Sequence, residues 1–149
     1  MLNKTKKIAI IQSVFYHDLS KMLLDGAIQK TLQNQFDYDI FTVNGALEIP
    51  SAISILANIN IPNQHPEYEG FVALGCVIRG KTSHYEIVCN ESARGLMNLG
   101  ISKNLAIGNG IITTENYEQA EERANLNKLN KGGFAVDACL SLINLKYRK

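Results

Sequence analysis

Apolar residues fall into two kinds of run along this chain. Short blocks with few polar interruptions occur at 7–14 ("KIAIIQSV"), 38–43 ("YDIFTV"), 70–78 ("GFVALGCVI") and 104–112 ("NLAIGNGII"), and their length and β-branched content predict strands. Between and after them come longer segments, 18–35, 49–59, 84–99, 117–129 and 133–146, with apolar residues at helical spacing. Strands that are apolar without strict alternation are covered on both faces, and strands alternating with helices form a parallel sheet. The expected class is α/β: a three-layer sandwich with a four-stranded parallel sheet and helices on either side. No internal repeat, low-complexity tract or linker divides the 149 residues, so 1–149 is read as one domain.

Composition narrows the function classes. An apolar fraction of 46% and a charged fraction of 19% are those of a folded globular protein. A net charge of +1 provides no electrostatic footprint for nucleic acid or an anionic membrane. The opening "MLNKTKKIAIIQSV" sets lysines before an apolar run, as a signal peptide does. Gln12 interrupts that run, however, and no small-residue cleavage site follows, so it reads as a first strand behind a short basic tail. No stretch reaches the roughly 20 apolar residues of a membrane span. Three cysteines without C-x-x-C spacing indicate neither a disulfide framework nor a zinc site, and a reduced, cytoplasmic chain is expected. His65, between Gln64 and Pro66 in a loop rich in breakers, reads as a solvated loop residue.

In open parallel sheets, ligands bind beyond the carboxyl ends of the strands. The four segments found there are "FYHDLS", "NGALEIP", "RGKTSH" and "TTENYEQ". They bring an aromatic, a carboxylate, cations and a histidine to one rim, more than turns and caps require. Gly75, Gly80, Lys81 and Thr82 also satisfy G-x-x-x-x-G-K-[ST], the phosphate loop of nucleotide-binding proteins. The residues between the glycines speak against such a loop: Cys76, Val77 and Ile78 extend a strand instead of wrapping a phosphate. Ser83 followed by Glu86 has the spacing of a capping box, which leaves Lys81 ahead of the helix. What remains is a helix N-terminus, with Lys81 and Thr82 beside it, suited to an anion smaller than ATP.

"GALEIP", "LGCVIRGKTSHYEIVCNESARG" and "GNGIITTENYEQAEERA" resemble, in order, the corresponding segments of the lumazine synthase family. The resemblance runs from about Ile8 to Leu142. It implies a flavodoxin-like sandwich and a homopentamer whose sites lie between adjacent subunits. The implied transferase reaction condenses 5-amino-6-(D-ribitylamino)uracil with 3,4-dihydroxy-2-butanone 4-phosphate to 6,7-dimethyl-8-ribityllumazine, the penultimate step of riboflavin biosynthesis. The partners implied are small-molecule substrates and further copies of the chain, with no metal and no organic cofactor.

The residues can be fitted to that chemistry. Each step moves protons, and His84 is the natural relay because imidazole titrates near neutral pH. Phe15, just past the first strand, reads from position alone as a core residue capping the sheet; the resemblance sets it flat against the pyrimidine. Glu48 either favours the start of the next helix, with Pro50 in the first turn, or, as the resemblance implies, accepts from the ribityl hydroxyls, with Ala46 and Leu47 nearby. Cys76, Val77 and Ile78 are expected to meet the ligand through backbone groups, and nothing in the reaction calls for a thiol nucleophile at Cys76. Arg123, in a helix starting at Asn116, has no acidic residue three or four positions away. It therefore suits an external phosphate, which the resemblance assigns to it from a neighbouring subunit. Lys131 in "NKGG" matches a lysine near the same phosphate, which Lys81 and Thr82 are also expected to meet from their place at the helix N-terminus.

Three departures from the family pattern matter. Asn109, expected to contact the pyrimidine through its backbone, replaces a phenylalanine found in many members. Tyr16 stands where asparagine is common, and Lys81 where a small residue often is. In "ANLNKLNKGG", Asn125 and Leu129 replace both glycines of the G-x-K-x-G-N typical of capsid-forming members, which points to an isolated pentamer instead of a sixty-subunit shell. The alternative from another class is a non-catalytic flavin- or nucleotide-binding module. "SVFYHDLS" is not the Ser/Thr/Gly-rich first loop that such a flavin site uses.

Overall fold

The computed structural model describes residues 5–59 and 67–148; His65 and most of the basic tail, Met1–Lys4, lie outside them. Strands β1 (Lys7–Ser13), β2 (Asp37–Val43), β3 (Gly70–Ile78) and β4 (Ile107–Thr114) alternate with helices α1 (His17–Gln33), α2 (Ile49–Ala57), α3 (His84–Ser102), α4 (Tyr117–Ala124) and α5 (Lys131–Tyr147). A short 3₁₀ turn, Ala46–Glu48, leads into α2. All strand pairs are parallel, in the order β2-β1-β3-β4. The expected three-layer α/β sandwich is what forms.

Period-two side-chain alternation divides the sheet between two cores. Ile8, Ile10, Val72, Leu74 and Ile112 point to one face, where Leu19, Leu23, Ala120, Val136 and Leu140 of α1, α4 and α5 cover them. Ala9, Ile11, Phe71 and Ala73 point to the other, against Ile49 and Ile53 of α2 and Leu96 of α3. Because α5 lies very close both to β4 and to α1, two glycines are required by space. A Cβ on Gly108 would stand 1.8 Å from the Ala135 carbonyl oxygen, and one on Gly132 would stand 2.0 Å from that of Leu23.

Helix boundaries follow local chemistry. The Asn116 side chain accepts from the Gln119 N–H at 2.9 Å, while Gln119 accepts from the Glu115 N–H at 2.9 Å, so α4 starts where its sequence indicated. It ends earlier than the apolar spacing suggested. The Asn125 side chain accepts from the Asn127 N–H at 2.9 Å and its carbonyl takes the N–H groups of Lys128 and Asn130, which turns the chain without glycine. Asn130 adopts φ 47° and its side chain caps α5 through the Gly133 N–H at 3.1 Å. The expected capping box at α3 is absent, since neither Ser83 nor Glu86 caps that helix.

Candidate active site

Strand order reverses direction between β1 and β3, and the crevice of such a sheet opens at that point. A cleft of about 410 Å³ lies there, floored by Ser13 of β1 and by Cys76, Val77 and Ile78 of β3. One wall is the turn Gly45–Glu48; the other is Gly80, Thr82, His84, Tyr85 and Val88; Phe15 and Tyr16 stand at the mouth. Nine sequence-predicted residues, Phe15, Ala46, Leu47, Glu48, Cys76, Val77, Ile78, Thr82 and His84, thus share one cavity.

Phe15 is not a core residue. It is 76% exposed, its ring edge-on to Tyr16 with centroids 5.0 Å apart. A rigid aromatic plane presented to an open cleft suits a flat heterocycle. Glu48 does not cap α2 with its side chain, although Pro50 does sit at the start of that helix, so its carboxylate remains available to donors in the cleft. Cys76 is buried, and desolvation pushes its thiol up to about 12. The thiol stays protonated at neutral pH, so this site has no ready sulfur nucleophile.

The phosphate-loop reading fails on geometry. Gly75 is inside β3, paired with Ile111, and Cys76, Val77 and Ile78 continue the ladder opposite Ile112, Thr113 and Thr114. No glycine among the described residues has a positive φ. The short turn Gly80–Ser83 leads into α3, where the Thr82 hydroxyl accepts from the His84 N–H at 3.3 Å. Lys81 is exposed on this turn and lines neither this cleft nor the next. Arg79, one of the cations that the sequence brings to the rim, is committed internally to Glu86 and Glu115.

Asn109, Arg123 and Lys131 are elsewhere. They line a separate depression of about 220 Å³ with Gly110–Thr113. Within one subunit Asn109 therefore groups with the two cations and not with Phe15. The reason is position: Asn109 is early in β4, exposed at the sheet edge beyond β3, and its side chain accepts from the Ile111 N–H at 2.9 Å. Arg123 donates to the Gln119 carbonyl at 3.1 Å and has Glu122 at 3.9 Å, a pairing with its sequence neighbour that helical spacing did not foresee. Lys131, the first residue of α5, sits 5.0 Å from the Phe134 ring centre.

Sequence reasoning missed Ser13, Tyr85 and Val88 as cleft residues and gave Tyr16 no role. Val88 follows His84 by one helical turn, so the periodicity of α3 was the signal that pointed to it. Among the described residues no helix is long and apolar enough to cross a membrane.

The model of the 6,7-dimethyl-8-ribityllumazine synthase family matches residues 5–147. Relatives carrying that name are 50% identical in Bartonella tribocorum over 147 residues, covering 99% of this chain and 94% of the relative. In Afipia carboxidovorans the figure is 52% over 140 residues, 94% of this chain and 85% of the relative. A relative in Rhizobium meliloti, named 6,7-dimethyl-8-ribityllumazine synthase 1, is 50% identical over 145 residues, 97% of this chain and 94% of its own length.

Proposed function

The chain belongs to the 6,7-dimethyl-8-ribityllumazine synthase family, and from that premise we propose how its two depressions divide the work. The enzyme is a transferase of riboflavin biosynthesis that condenses 5-amino-6-(D-ribitylamino)uracil with 3,4-dihydroxy-2-butanone 4-phosphate, releasing phosphate and water. The observation that carries the division is the grouping of Phe15, Glu48, the Cys76–Ile78 strand end and His84 around one cleft at the sheet's switch point. There the pyrimidine lies against Phe15, and its polar edge meets backbone groups of Cys76, Val77 and Ile78. The ribityl hydroxyls donate to Glu48 beside Ala46 and Leu47, a carboxylate being the acceptor that a polyol needs.

The ketone phosphate occupies the His84 end. Its phosphate meets the turn carrying Lys81 and Thr82 at the start of α3, where helix N–H groups favour an anion. The substrate amine attacks the ketone, the carbinolamine loses water, phosphate leaves, and the second nitrogen closes the ring on the remaining carbonyl with loss of a second water. His84 takes and returns protons during these steps. Holding both substrates in register contributes more than the relay does, since a nucleophilic diamine and an activated ketone need chiefly to be oriented.

Arg123 and Lys131 line the other depression. They act on the same phosphate once a neighbouring subunit places its depression over the first cleft, and Asn109 arrives with them. The working unit is a homopentamer in the cytoplasm with sites between adjacent subunits. Without glycine at Asn125 and Leu129, the turn before α5 favours the isolated ring over a larger shell. The test is incubation of the purified protein with both substrates while lumazine absorbance is followed. Product formation is expected; its absence, with bound flavin instead, would make the chain a binding module.

A further inference from the structure

Glu86 stands three residues after the Ser83 N-cap of α3, the position from which a carboxylate ordinarily reaches back to the open N–H groups of a first helical turn. Here its Oε1 accepts from Nη1 of Arg79. Nε of the same guanidinium donates to Glu115 Oε2 at 2.7 Å, and the guanidinium carbon lies 4.3 Å from the centre of the Tyr85 ring. Arg79 is thereby held by the first turn of α3 and by the residue that follows β4, while its own N–H donates to the Thr114 carbonyl at 2.9 Å. The hydrogen bond from Arg79, and after it one from its own backbone N–H, keep the Glu86 carboxyl below the usual carboxylate range, so it remains ionised and paired. Ser83 does not cap α3 with its side chain; the His84 N–H donates to the Thr82 hydroxyl at 3.3 Å, and Gly80, Thr82 and His84 line the cleft.

We propose that Arg79 is a positioning residue that holds and neutralises Glu86 beside the N-terminus of α3, so that no unpaired negative charge there opposes the phosphate of the ketone substrate. The proposal rests on the assignment of that phosphate to the turn carrying Thr82. The reason is competition. A tethered carboxylate and a phosphate seek the same N–H groups, and an uncompensated carboxylate beside them also repels the phosphate. Arginine suits the task because one planar fork holds Glu86 and Glu115 together and stacks on Tyr85, which an ammonium group cannot match. Arg79 acts through Glu86 and touches neither substrate.

Steady-state kinetics with each substrate varied in turn provide the test. In Arg79→Met the released Glu86 raises the KM for the ketone phosphate about 3- to 10-fold, the scale of one charge at a helix N-terminus, and the aminouracil KM is unchanged. Adding Glu86→Ala to that variant brings the ketone phosphate KM back to within about twofold of the starting protein. Deleting a second member of a merely structural cluster would not restore it, so a raised KM that persists in the double variant overturns the proposal. A flat KM in Arg79→Met overturns it as well. Thr82→Val, measured alongside, separates this from the phosphate assignment: a rise in the ketone phosphate KM there with none in Arg79→Met leaves the assignment standing, whereas flat values in both remove the assignment too. If Arg79→Met does not assemble by sedimentation, Arg79→Lys replaces it. The expected rise is then smaller and is relieved by the same Glu86→Ala change; an unrelieved rise, or no rise, overturns the proposal.

Discussion

His84 and Arg123 of one subunit lie in different depressions. His84 lines the cleft at the ends of β1 and β3, and Arg123 lines the one beside β4 with Asn109 and Lys131. On the proposed assignment of both residues to the same phosphate-bearing substrate, the two come from two copies of the chain.

Co-refolding tests that arrangement. His84→Ala damages only the first cleft and Arg123→Ala only the second depression, so mixed pentamers contain some sites built from two intact halves. Activity above the sum of the separately refolded variants is expected, with pentamers verified by sedimentation. No rescue in verified mixed rings would put Arg123 in the same site as His84 within one subunit, or outside the site.

The two variants should also differ kinetically when assayed alone. His84→Ala is expected to slow turnover by about 10- to 100-fold, the low end for a general acid-base group. Arg123→Ala is expected to raise the KM for the ketone phosphate by about tenfold or more, as loss of a bidentate phosphate contact does, with little change for the aminouracil. Equal weakening toward both substrates would count against a dedicated phosphate role.

Space, not conformation, makes Gly108 and Gly132 necessary. Gly108→Ala places a methyl 1.8 Å from the Ala135 carbonyl oxygen and Gly132→Ala places one 2.0 Å from that of Leu23. Each should cost about 3 kcal/mol or more, since backbone cannot yield as a side chain can. Gly80→Ala, with nothing within 4 Å, should leave the urea midpoint nearly unchanged at the same protein concentration. A midpoint for Gly108→Ala equal to that of Gly80→Ala would contradict the packing of α5 on β4.

Far from the cleft, Asp39 accepts from the Tyr68 hydroxyl at 2.8 Å and pairs with Lys7 at 3.2 Å. The Tyr68 hydrogen bond is the main cause that holds the Asp39 carboxyl below its ordinary value; desolvation opposes it and Lys7 assists. A carboxyl depressed in the folded state stabilises above its unfolded value and loses that contribution as pH falls through the folded one. Asp39→Asn should therefore lower stability near neutral pH by at most about 1 kcal/mol, the side chain being partly exposed. The gap to the starting protein should close below about pH 4, followed by denaturant unfolding across pH. A gap that widens toward acid would reverse the sign and refute the pairing.

The division of labour between sequence and structure is clearest in α3. Helical spacing, strand-length apolar blocks and the order of the elements are local properties, and each survives in the fold because tertiary contacts reinforce the same pattern. The parallel α/β sandwich, the strand-end location of the chemistry and the rejection of a phosphate loop at Gly75–Thr82 were legible for that reason: Cys76, Val77 and Ile78 are strand formers wherever they stand. Ser83 and Glu86 have capping-box spacing too, yet no box forms, because Arg79 and Glu115, 7 and 29 residues from Glu86 along the chain, meet beside it in space.

What the sequence determined by itself was the set of residues able to do chemistry, and, through three ordered motifs, the family that uses them. Only the tertiary structure decided their company. Phe15 follows a strand as a core residue would, and its exposure depends on how α1 leaves the sheet. Asn109, expected to meet the same pyrimidine as Phe15, lies within one subunit beside Arg123 and Lys131, since the order β2-β1-β3-β4 puts β4 at the edge, away from β1. Strand order is set by which apolar faces bury one another across the whole domain, a long-range energy that no window of sequence contains.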